Sequence, residues 1–272
     1  MDNSKVIKGR NIIKAFYYDV GNFGDILTPY LIKKLFNINI EHCNSSHDCN
    51  FIGVGSLLEH LFIAPDDVAI WGAGFIRDGE NFTPKEQKFL AVRGKLSANR
   101  ILSNDNILMG DPGLLIEKIS SPVQKEYKIG FIPHYIDWQN QITKKIKDIN
   151  NIHYISIVQN PDTFIEDVAK CDYIISSSLH GIITADSLRI PNLHIQISDN
   201  VIGNNYKFED YYSAFNQEHP FIDLRKLESE KITPQYFINA IDNIFQSKTN
   251  LEEIKEGLIG TLKNYIKEYN IQ

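Results

Sequence analysis

Ile174-Ile-Ser-Ser-Ser-Leu-His-Gly-Ile-Ile-Thr-Ala185 joins the pattern of a buried strand to that of an apolar helix through a short polar turn. A strand, a small polar turn and a helix start leave backbone N–H groups free to bind an anion. A histidine at such a turn can move protons beside the bound charge. The alternative is a serine cap followed by a histidine that only packs or caps. Three serines, a histidine and a glycine together favour an active-site turn, made of Ser176, Ser177, Ser178, His180 and Gly181.

Strand-like and helix-like patterns alternate on both sides of this turn, which is typical of βα units and a parallel sheet. The first predicted strands span residues 12–20, 51–55, 68–74, 89–93 and 107–110, with helices over 26–36 and 97–102. A second series has strands over 128–133, 152–158, 173–177 and 193–197, a helix beginning at Pro161, and terminal helices over 234–245 and 251–269. Sheets of this kind bind ligands beyond the carboxyl ends of their strands.

The two series predict an α/β protein with two Rossmann-like halves, residues 1–120 and 121–272, joined near residues 118–124. Two such halves facing a cleft resemble the GT-B architecture of glycosyltransferases; one large sheet is the alternative. The terminal helices are candidates for packing back on the first half. The last one carries its apolar residues on one stripe, which favours core packing over docking on a membrane surface.

Composition and charge narrow the class of protein. A net charge of −6 and a pI near 5.8 argue against nucleic-acid binding. The stretch beginning at Met1 lacks the apolar core of a secretory signal, and no run is long and apolar enough to predict a membrane span. Three cysteines fit a reducing compartment. We expect a cytoplasmic protein; peripheral association with the inner face of the membrane and homo-oligomer formation both stay open.

Polar residues follow other predicted strands. His134 and Asp137 leave the first strand of the second half, where they can share a proton or bind hydroxyls; a loop histidine and a capping aspartate are the alternative. Asp25 closes a glycine loop between the first strand and helix, although a plain turn is equally consistent with it. Arg93 has the planar fork that suits phosphate or carboxylate. The predicted cleft loops contain Gly21, Asn22, Gly24, Gly72 and Gly74.

A group of potential zinc ligands, His42, Cys43, His47 and Cys49, falls within a short segment. Structural zinc sites usually need a second ligand pair at a defined spacing, and none follows nearby. We therefore predict a polar loop there and no metal site. The loop around Gly21 also lacks the dinucleotide fingerprint, so no nicotinamide cofactor is implied.

Several segments together resemble the polysaccharide pyruvyl transferase family. They are Asn22-Phe-Gly-Asp25, Ala91-Val-Arg-Gly-Lys-Leu-Ser97, Gly110-Asp-Pro-Gly113, Pro133-His-Tyr-Ile-Asp137, Ser176-Ser-Ser-Leu-His-Gly-Ile-Ile183 and Lys207-Phe-Glu-Asp-Tyr-Tyr212. Each is weak alone, but their order along most of the chain is fairly specific.

The resemblance implies a GT-B-like transferase that moves the enolpyruvyl group of phosphoenolpyruvate onto two hydroxyls of a sugar in a bacterial surface polysaccharide precursor, forming a pyruvate ketal. Phosphoenolpyruvate is then a co-substrate, no cofactor is needed, and the partner is a saccharide acceptor, free or lipid-linked. By position, His180 would be the catalytic acid/base, Arg93 a donor-binding cation, and Asp25 would lie near the catalytic centre. His134 and Asp137 are further candidates to accept hydroxyl protons.

One departure from the family pattern concerns Ser178, where some members carry an arginine. The serine and backbone donors would then have to hold the phosphate alone, or Lys207 or Lys95 would replace the arginine, or the donor would differ. Two other functions stay open: a GT-B glycosyltransferase that uses a nucleotide sugar, and a non-catalytic saccharide-binding protein.

Overall fold

The structure, a computed structural model, describes residues 12–103 and 106–271. The stretch beginning at Met1, on which the expected absence of a secretory signal rests, lies outside these residues. Within the described chain, no helix is both long and apolar enough to cross a bilayer.

The first half forms a parallel five-stranded sheet in the order β2-β1-β3-β4-β5. Its elements are β1 (Lys14–Phe16), α1 (Leu27–Phe36), β2 (Glu41–Cys43), β3 (Phe51–Ile52), β4 (Ala69–Ala73), β5 (Lys88–Val92) and α2 (Lys95–Asn99). Three 3₁₀ helices accompany them, Ser46–Asp48, Leu58–Phe62 and Pro112–Lys118.

The second half forms another parallel five-stranded sheet, in the order β10-β9-β8-β6-β7. Its elements are β6 (Tyr127–Ile132), α3 (Gln141–Lys147), β7 (Ile152–Tyr154), α4 (Pro161–Ala169), β8 (Cys171–Ser176), α5 (Leu179–Ser187), β9 (Asn192–Gln196), α6 (Tyr206–Ser213), β10 (Phe221–Asp223), α7 (Pro234–Ile244) and α8 (Leu251–Glu268). Shorter 3₁₀ helices are Tyr135–Asp137, Leu224–Lys226 and Ser229–Lys231.

These two sheets confirm the predicted α/β fold with two Rossmann-like halves, and the single-sheet alternative is wrong. One predicted strand is also wrong, because residues 107–110 contribute only an isolated bridge between Val92 and Met109. The strand predicted over 12–20 is reduced to Lys14–Phe16, since the chain then leaves the sheet. β2, α3, α6 and β10 were missed.

The start of α4 follows local capping chemistry. In α4 the side chain of Asn160 accepts a hydrogen bond from the Asp162 N–H, and Pro161 occupies the first turn. Because the missing N–H of a proline costs nothing at that position, this start was predictable from sequence.

The core runs without interruption between the halves. Leu114 and Leu115, in the 3₁₀ helix Pro112–Lys118, are fully buried in a cluster that includes residues of both sheets. The helix α8 covers the first sheet: the Trp71 indole donates to the Leu258 carbonyl at 3.0 Å, and the Tyr265 ring lies 5.8 Å from that of Phe51. The apolar stripe of α8 packs in the hydrophobic core, as the periodicity predicted. This helix therefore completes the hydrophobic layer over the first sheet.

Candidate active site

A cleft of about 420 Å³ lies where the carboxyl ends of the two sheets face each other. The first half contributes segments that follow β1, β3 and β4, and the second half contributes segments that follow β6, β8 and β9. Its lining residues are Tyr18, Val20, Asn22, Asp25, Gly55, Ser56, Leu57, Glu59, His60, Ile76, His134, Tyr135, Ile136, Ser178, Leu179, His180, Ile202 and Lys207.

A buried histidine–aspartate pair lies at the floor of this cleft. His180 is in the first turn of α5, and its Nε2 lies 3.8 Å from Oδ2 of Asp111, whose side chain is fully buried. Both atoms are buried and have no other hydrogen-bond partner in the described structure. The separation exceeds a hydrogen bond but allows an ion pair once the ring is protonated. Asp111 therefore places a carboxylate beside the ring, where it can pair with a protonated imidazole.

The opposite side of the imidazole rests on Gly24. A Cβ on Gly24 would lie 2.0 Å from Nδ1 of His180, so only a glycine leaves room for the ring. Next to it, Asn22 donates to Oδ2 of Asp25 at 3.0 Å and accepts from the Gly24 N–H at 3.3 Å. Burial raises the pKa of the Asp25 carboxyl, although nearby His180 and the Asn22 hydrogen bond act in the opposite direction. Asp25 is thus a better proton acceptor than an exposed aspartate.

Lys207, in α6, supplies a positive charge on the cleft wall. The described structure shows no hydrogen bond or ion pair to its ammonium group. Burial, followed by the nearby Arg93 guanidinium, lowers the pKa of Lys207 to about 8. Opposite it, α5 begins at Leu179, and the N–H groups of Leu179 and His180 have no acceptor within the described chain. A cation and a helix N-terminus are both groups that can bind an anion.

His134 also lines the cleft, where its Nε2 can donate a hydrogen bond to a ligand. Its Nδ1 accepts from the Ile136 N–H at 3.3 Å, so a neutral ring carries its proton on Nε2. Burial, reinforced by Lys207 and His180, lowers the pKa of His134 to about 3. The ring is neutral near pH 7, and it suits binding a ligand oxygen better than accepting a proton.

Asp137 is the first correction to the predicted site. Its carboxylate is buried away from the cleft, where it accepts from Ser198 at 2.5 Å and from Ser177 at 3.3 Å. Burial raises the pKa of Asp137, and the two serine hydrogen bonds oppose that effect. This aspartate anchors the turn instead of contacting a ligand, because both oxygens are already engaged.

Within the turn, Ser178 and His180 line the cleft, and Ser176, Ser177 and Gly181 support it. Ser176 bonds the Ile132 carbonyl and the Ser178 backbone, and the Ser177 hydroxyl accepts from the His134 N–H at 2.8 Å. Gly181 is buried, and a Cβ at this position would lie 2.3 Å from the Ser176 hydroxyl, so only a glycine fits there. The prediction that Ser176, Ser177 and Gly181 bind the donor is therefore corrected; Ser178 lines the cleft.

Arg93, which was predicted to bind the donor, does not line the cleft. It is fully buried and donates to Asp210 at 2.9 Å, to Ser56 at 2.8 Å and to the Phe75 carbonyl at 2.6 Å. These three hydrogen bonds hold the guanidinium inside the protein, behind the cleft wall. Lys95, the other cation considered, contacts Asn216 and does not line the cleft.

The other predicted cleft glycines, Gly21, Gly72 and Gly74, shape the backbone and do not line the cleft. Gly21 has a φ of +76° and forms the turn after β1. Gly72 lies in β4 and Gly74 directly follows that strand; both are buried. An added Cβ would lie 2.0 Å from Pro112 at Gly72 and 2.3 Å from the Arg93 guanidinium at Gly74. Close packing, not ligand contact, requires a glycine at both positions.

Sequence reasoning missed Asp111 as a functional residue. Asp111-Pro-Gly113 has the composition of a turn, which gave no signal of a catalytic or binding role. Its Oδ1 does cap the 3₁₀ helix by accepting from the Gly113 N–H at 2.8 Å. The second carboxylate oxygen, Oδ2, faces His180. This contact exists only in the tertiary structure, which brings the two halves together.

Comparisons with known proteins give one family and two relatives. A family model described as polysaccharide pyruvyl transferase matches residues 8–199. The succinoglycan biosynthesis protein ExoV of Rhizobium meliloti (strain 1021) is 26% identical over 211 residues, which cover 73% of this chain and 64% of that protein. An uncharacterized protein of Acanthamoeba polyphaga mimivirus is 30% identical over 223 residues, covering 76% of this chain and 75% of that one. The chain thus spans less than two thirds of the length of ExoV.

Among solved structures, the chain matches the UDP-GlcNAc 2-epimerase of Methanocaldococcus jannaschii, in complex with UDP-GlcNAc and UDP. The TM-score is 0.43 and the identity 13%, over 93% of this chain and 99% of that one.

Replacing Gly24 by alanine tests the packing around His180. We expect Gly24→Ala to lower the free energy of unfolding by about 1–3 kcal/mol, because the new methyl group overlaps the imidazole. The control is Gly260→Ala in α8, where an added Cβ meets nothing within 4 Å. That change should stabilise the helix by about 0.5–1 kcal/mol. Urea denaturation measures both; equal stabilities for the two variants would contradict the described contact.

Proposed function

Since the chain belongs to the polysaccharide pyruvyl transferase family, we propose that it transfers the enolpyruvyl group of phosphoenolpyruvate onto two hydroxyls of a sugar in a bacterial surface polysaccharide precursor. The product is a pyruvate ketal. The observation that carries the proposal is the cleft itself, which combines a buried histidine–aspartate pair with an unpaired lysine and a helix N-terminus. This set can hold an anionic donor and deliver a proton to it.

Binding of the donor uses the positive side of the cleft. Phosphoenolpyruvate carries a phosphate and a carboxylate, and the Lys207 ammonium and the N–H groups that open α5 are positioned to receive them. Lys207 then takes the place of the arginine that some family members carry at the position of Ser178. The Nε2–H of His134 adds a neutral donor on the same wall.

The chemistry begins with protonation of the donor. Protonated His180, stabilised by Asp111, gives its proton to the methylene carbon, and the electrons of the carbon–carbon double bond form the new C–H bond. The adjacent carbon becomes electrophilic, with its positive charge shared by the ester oxygen. A sugar hydroxyl then bonds to that carbon and loses its proton to Asp25, whose raised pKa suits a base.

Ketal closure completes the transfer. The bond between carbon and the phosphate oxygen breaks, and phosphate leaves with the electron pair. A neighbouring hydroxyl bonds to the same carbon and gives up its proton. Of the two hydroxyl protons lost, one balances the proton placed on carbon and the other leaves on phosphate. A water-poor cleft with fixed donors supplies most of the stabilisation.

The proposal is tested by ligand stabilisation and phosphate release. We expect phosphoenolpyruvate to raise the melting temperature and UDP to leave it unchanged, because only a bound ligand stabilises the fold. With a panel of free and lipid-linked saccharides, at least one acceptor should trigger phosphate release, and His180→Ala should abolish it. Stabilisation by UDP alone would favour a nucleotide-sugar transferase. Saccharide binding without phosphate release would favour a binding protein.

Replacement of Asp111 by asparagine tests the negative charge of this side chain separately from its role as a helix cap. Asparagine keeps the oxygen that accepts from the Gly113 N–H, so the 3₁₀ helix should remain capped. It cannot stabilise a charged imidazole, and we expect kcat to fall roughly 100-fold with little change in KM for phosphoenolpyruvate. Steady-state kinetics and a melting curve measure the effect. An unchanged kcat would exclude a part for Asp111 in proton transfer.

The charge of Lys207 predicts a pH dependence of donor binding. The ammonium binds an anion only while protonated, so affinity for phosphoenolpyruvate should fall as the pH rises through about 8. Lys207→Arg, which stays charged, should show no such step, and Lys207→Met should bind about 10-fold more weakly at pH 7. Calorimetric titrations between pH 6.5 and 9.5, a range of roughly 1.5 units on either side of that pKa, give the profile. A step of the same size in Lys207→Met would assign it to another group.

A further inference from the structure

A second cavity, of about 430 Å³, opens beside the cleft at the carboxyl ends of β1 and β2. It shares Tyr18 and His60 with the cleft, so a ligand can extend from one into the other. Its lining residues are Phe16, Tyr17, Tyr18, Asp19, His42, Asn44, Ser45, Ser46, His60 and Ile63. None of the catalytic steps proposed above uses it.

Aromatic rings held in fixed positions form much of its wall. The rings of Tyr17 and His42 lie 4.3 Å apart, and Nε2 of His42 is 3.0 Å from the Tyr17 carbonyl. His60 is held on both sides, with Nε2 at 2.9 Å from the Tyr18 hydroxyl and Nδ1 at 3.3 Å from the Ser46 hydroxyl. Such rings offer an apolar face and a polar edge, which match the C–H face and the hydroxyls of a sugar ring.

Polar side chains at the rim remain available to a ligand. Asp19 and Asn44 are exposed, and no hydrogen bond from either side chain is found in the part of the chain that the structure describes. A carboxylate accepts hydroxyl protons, and an amide both donates and accepts, so the two together suit a ligand rich in hydroxyls.

The charged groups that line the two cavities differ. The second cavity is lined by the carboxylate of Asp19 and by no lysine or arginine among its described residues, whereas the cleft is lined by Lys207 as well as by the carboxylates of Asp25 and Glu59. An anionic donor can therefore pair with a lysine in the cleft but meets no cation among the described residues of the second cavity. A neutral, hydroxylated ring is what the second cavity accommodates.

We propose that this second cavity is a subsite for a neutral sugar residue of the acceptor, next to the sugar that receives the pyruvyl group. The word acceptor rests on the proposed function, but the binding of a neutral saccharide does not. The subsite gives the enzyme a way to select a saccharide by its neighbouring residue, while transfer takes place beside His180.

Two substitutions in the second cavity test the subsite. His42→Ala removes an exposed ring, and Asn44→Ala removes an exposed amide; neither residue lines the cleft. The matched control is His47→Ala, an exposed histidine in the adjacent 3₁₀ helix that does not line the cavity. Melting curves verify that all three variants fold.

Saturation-transfer NMR with lactose, cellobiose and methyl β-D-galactopyranoside, without donor, gives the direct readout. At roughly 10 mM probe, enough to detect a millimolar Kd, we expect binding of at least one disaccharide to wild type and His47→Ala. His42→Ala and Asn44→Ala should each weaken it about 10-fold. No binding of any probe to wild type, or equal binding by all variants, would overturn the subsite.

Kinetics distinguish failure of the subsite from failure of the proposed function. With an active oligosaccharide acceptor, His42→Ala and Asn44→Ala should raise its KM about 10-fold and leave KM for phosphoenolpyruvate unchanged. If wild type binds a disaccharide through His42 and Asn44 but no acceptor releases phosphate, the pyruvyl-transfer proposal fails and the subsite stands. If phosphate is released and acceptor KM is the same in every variant, the subsite fails and the proposed function stands.

Discussion

The ion pair between Arg93 and Asp210 connects the two halves of the molecule and sets one wall of the cleft. Both side chains are fully buried and lie 117 residues apart in sequence. Burying two charges is costly unless every donor and acceptor is satisfied. Here Ser97 donates to Asp210 through both its N–H and its hydroxyl, while Ser56 and the Phe75 carbonyl each accept one further N–H of Arg93. Because α6 also carries Lys207, the pair fixes the position of the lysine at the cleft.

Close packing between the two halves also positions His180 in the cleft. The imidazole of His180 lies between Gly24 of the first half and the carboxylate of Asp111, so its position depends on both halves being docked. The serines around it are occupied in holding the turn, since Ser176 and Ser177 bond the backbone at the end of β6. A rigid turn places one histidine accurately, which matters more for proton transfer than additional polar groups would.

Charge is distributed unevenly along the floor between the sheets. Lys207 and the start of α5 place groups that can bind an anion in the cleft, beside the carboxylates of Asp25 and Glu59, whereas the second cavity is lined by Asp19 and by no lysine or arginine among its described residues. Under the proposed function, this difference would let an anionic donor and a neutral saccharide bind at separate places.

Sequence by itself determined the α/β class, the two halves, the starts of α4, α7 and α8 and the polar turns at strand ends, because hydrophobic period and turn chemistry are local properties of the chain. Short elements such as β2 escaped, since three residues carry no measurable period. Sequence could not decide which cation or which carboxylate reaches the cleft. Arg93 and Asp137 look as reactive as Lys207 and Asp111 until the fold pairs the first two with Asp210 and with two serines. Only tertiary contacts between distant segments determine which polar groups are already satisfied, and the groups left unpaired are the ones available for chemistry.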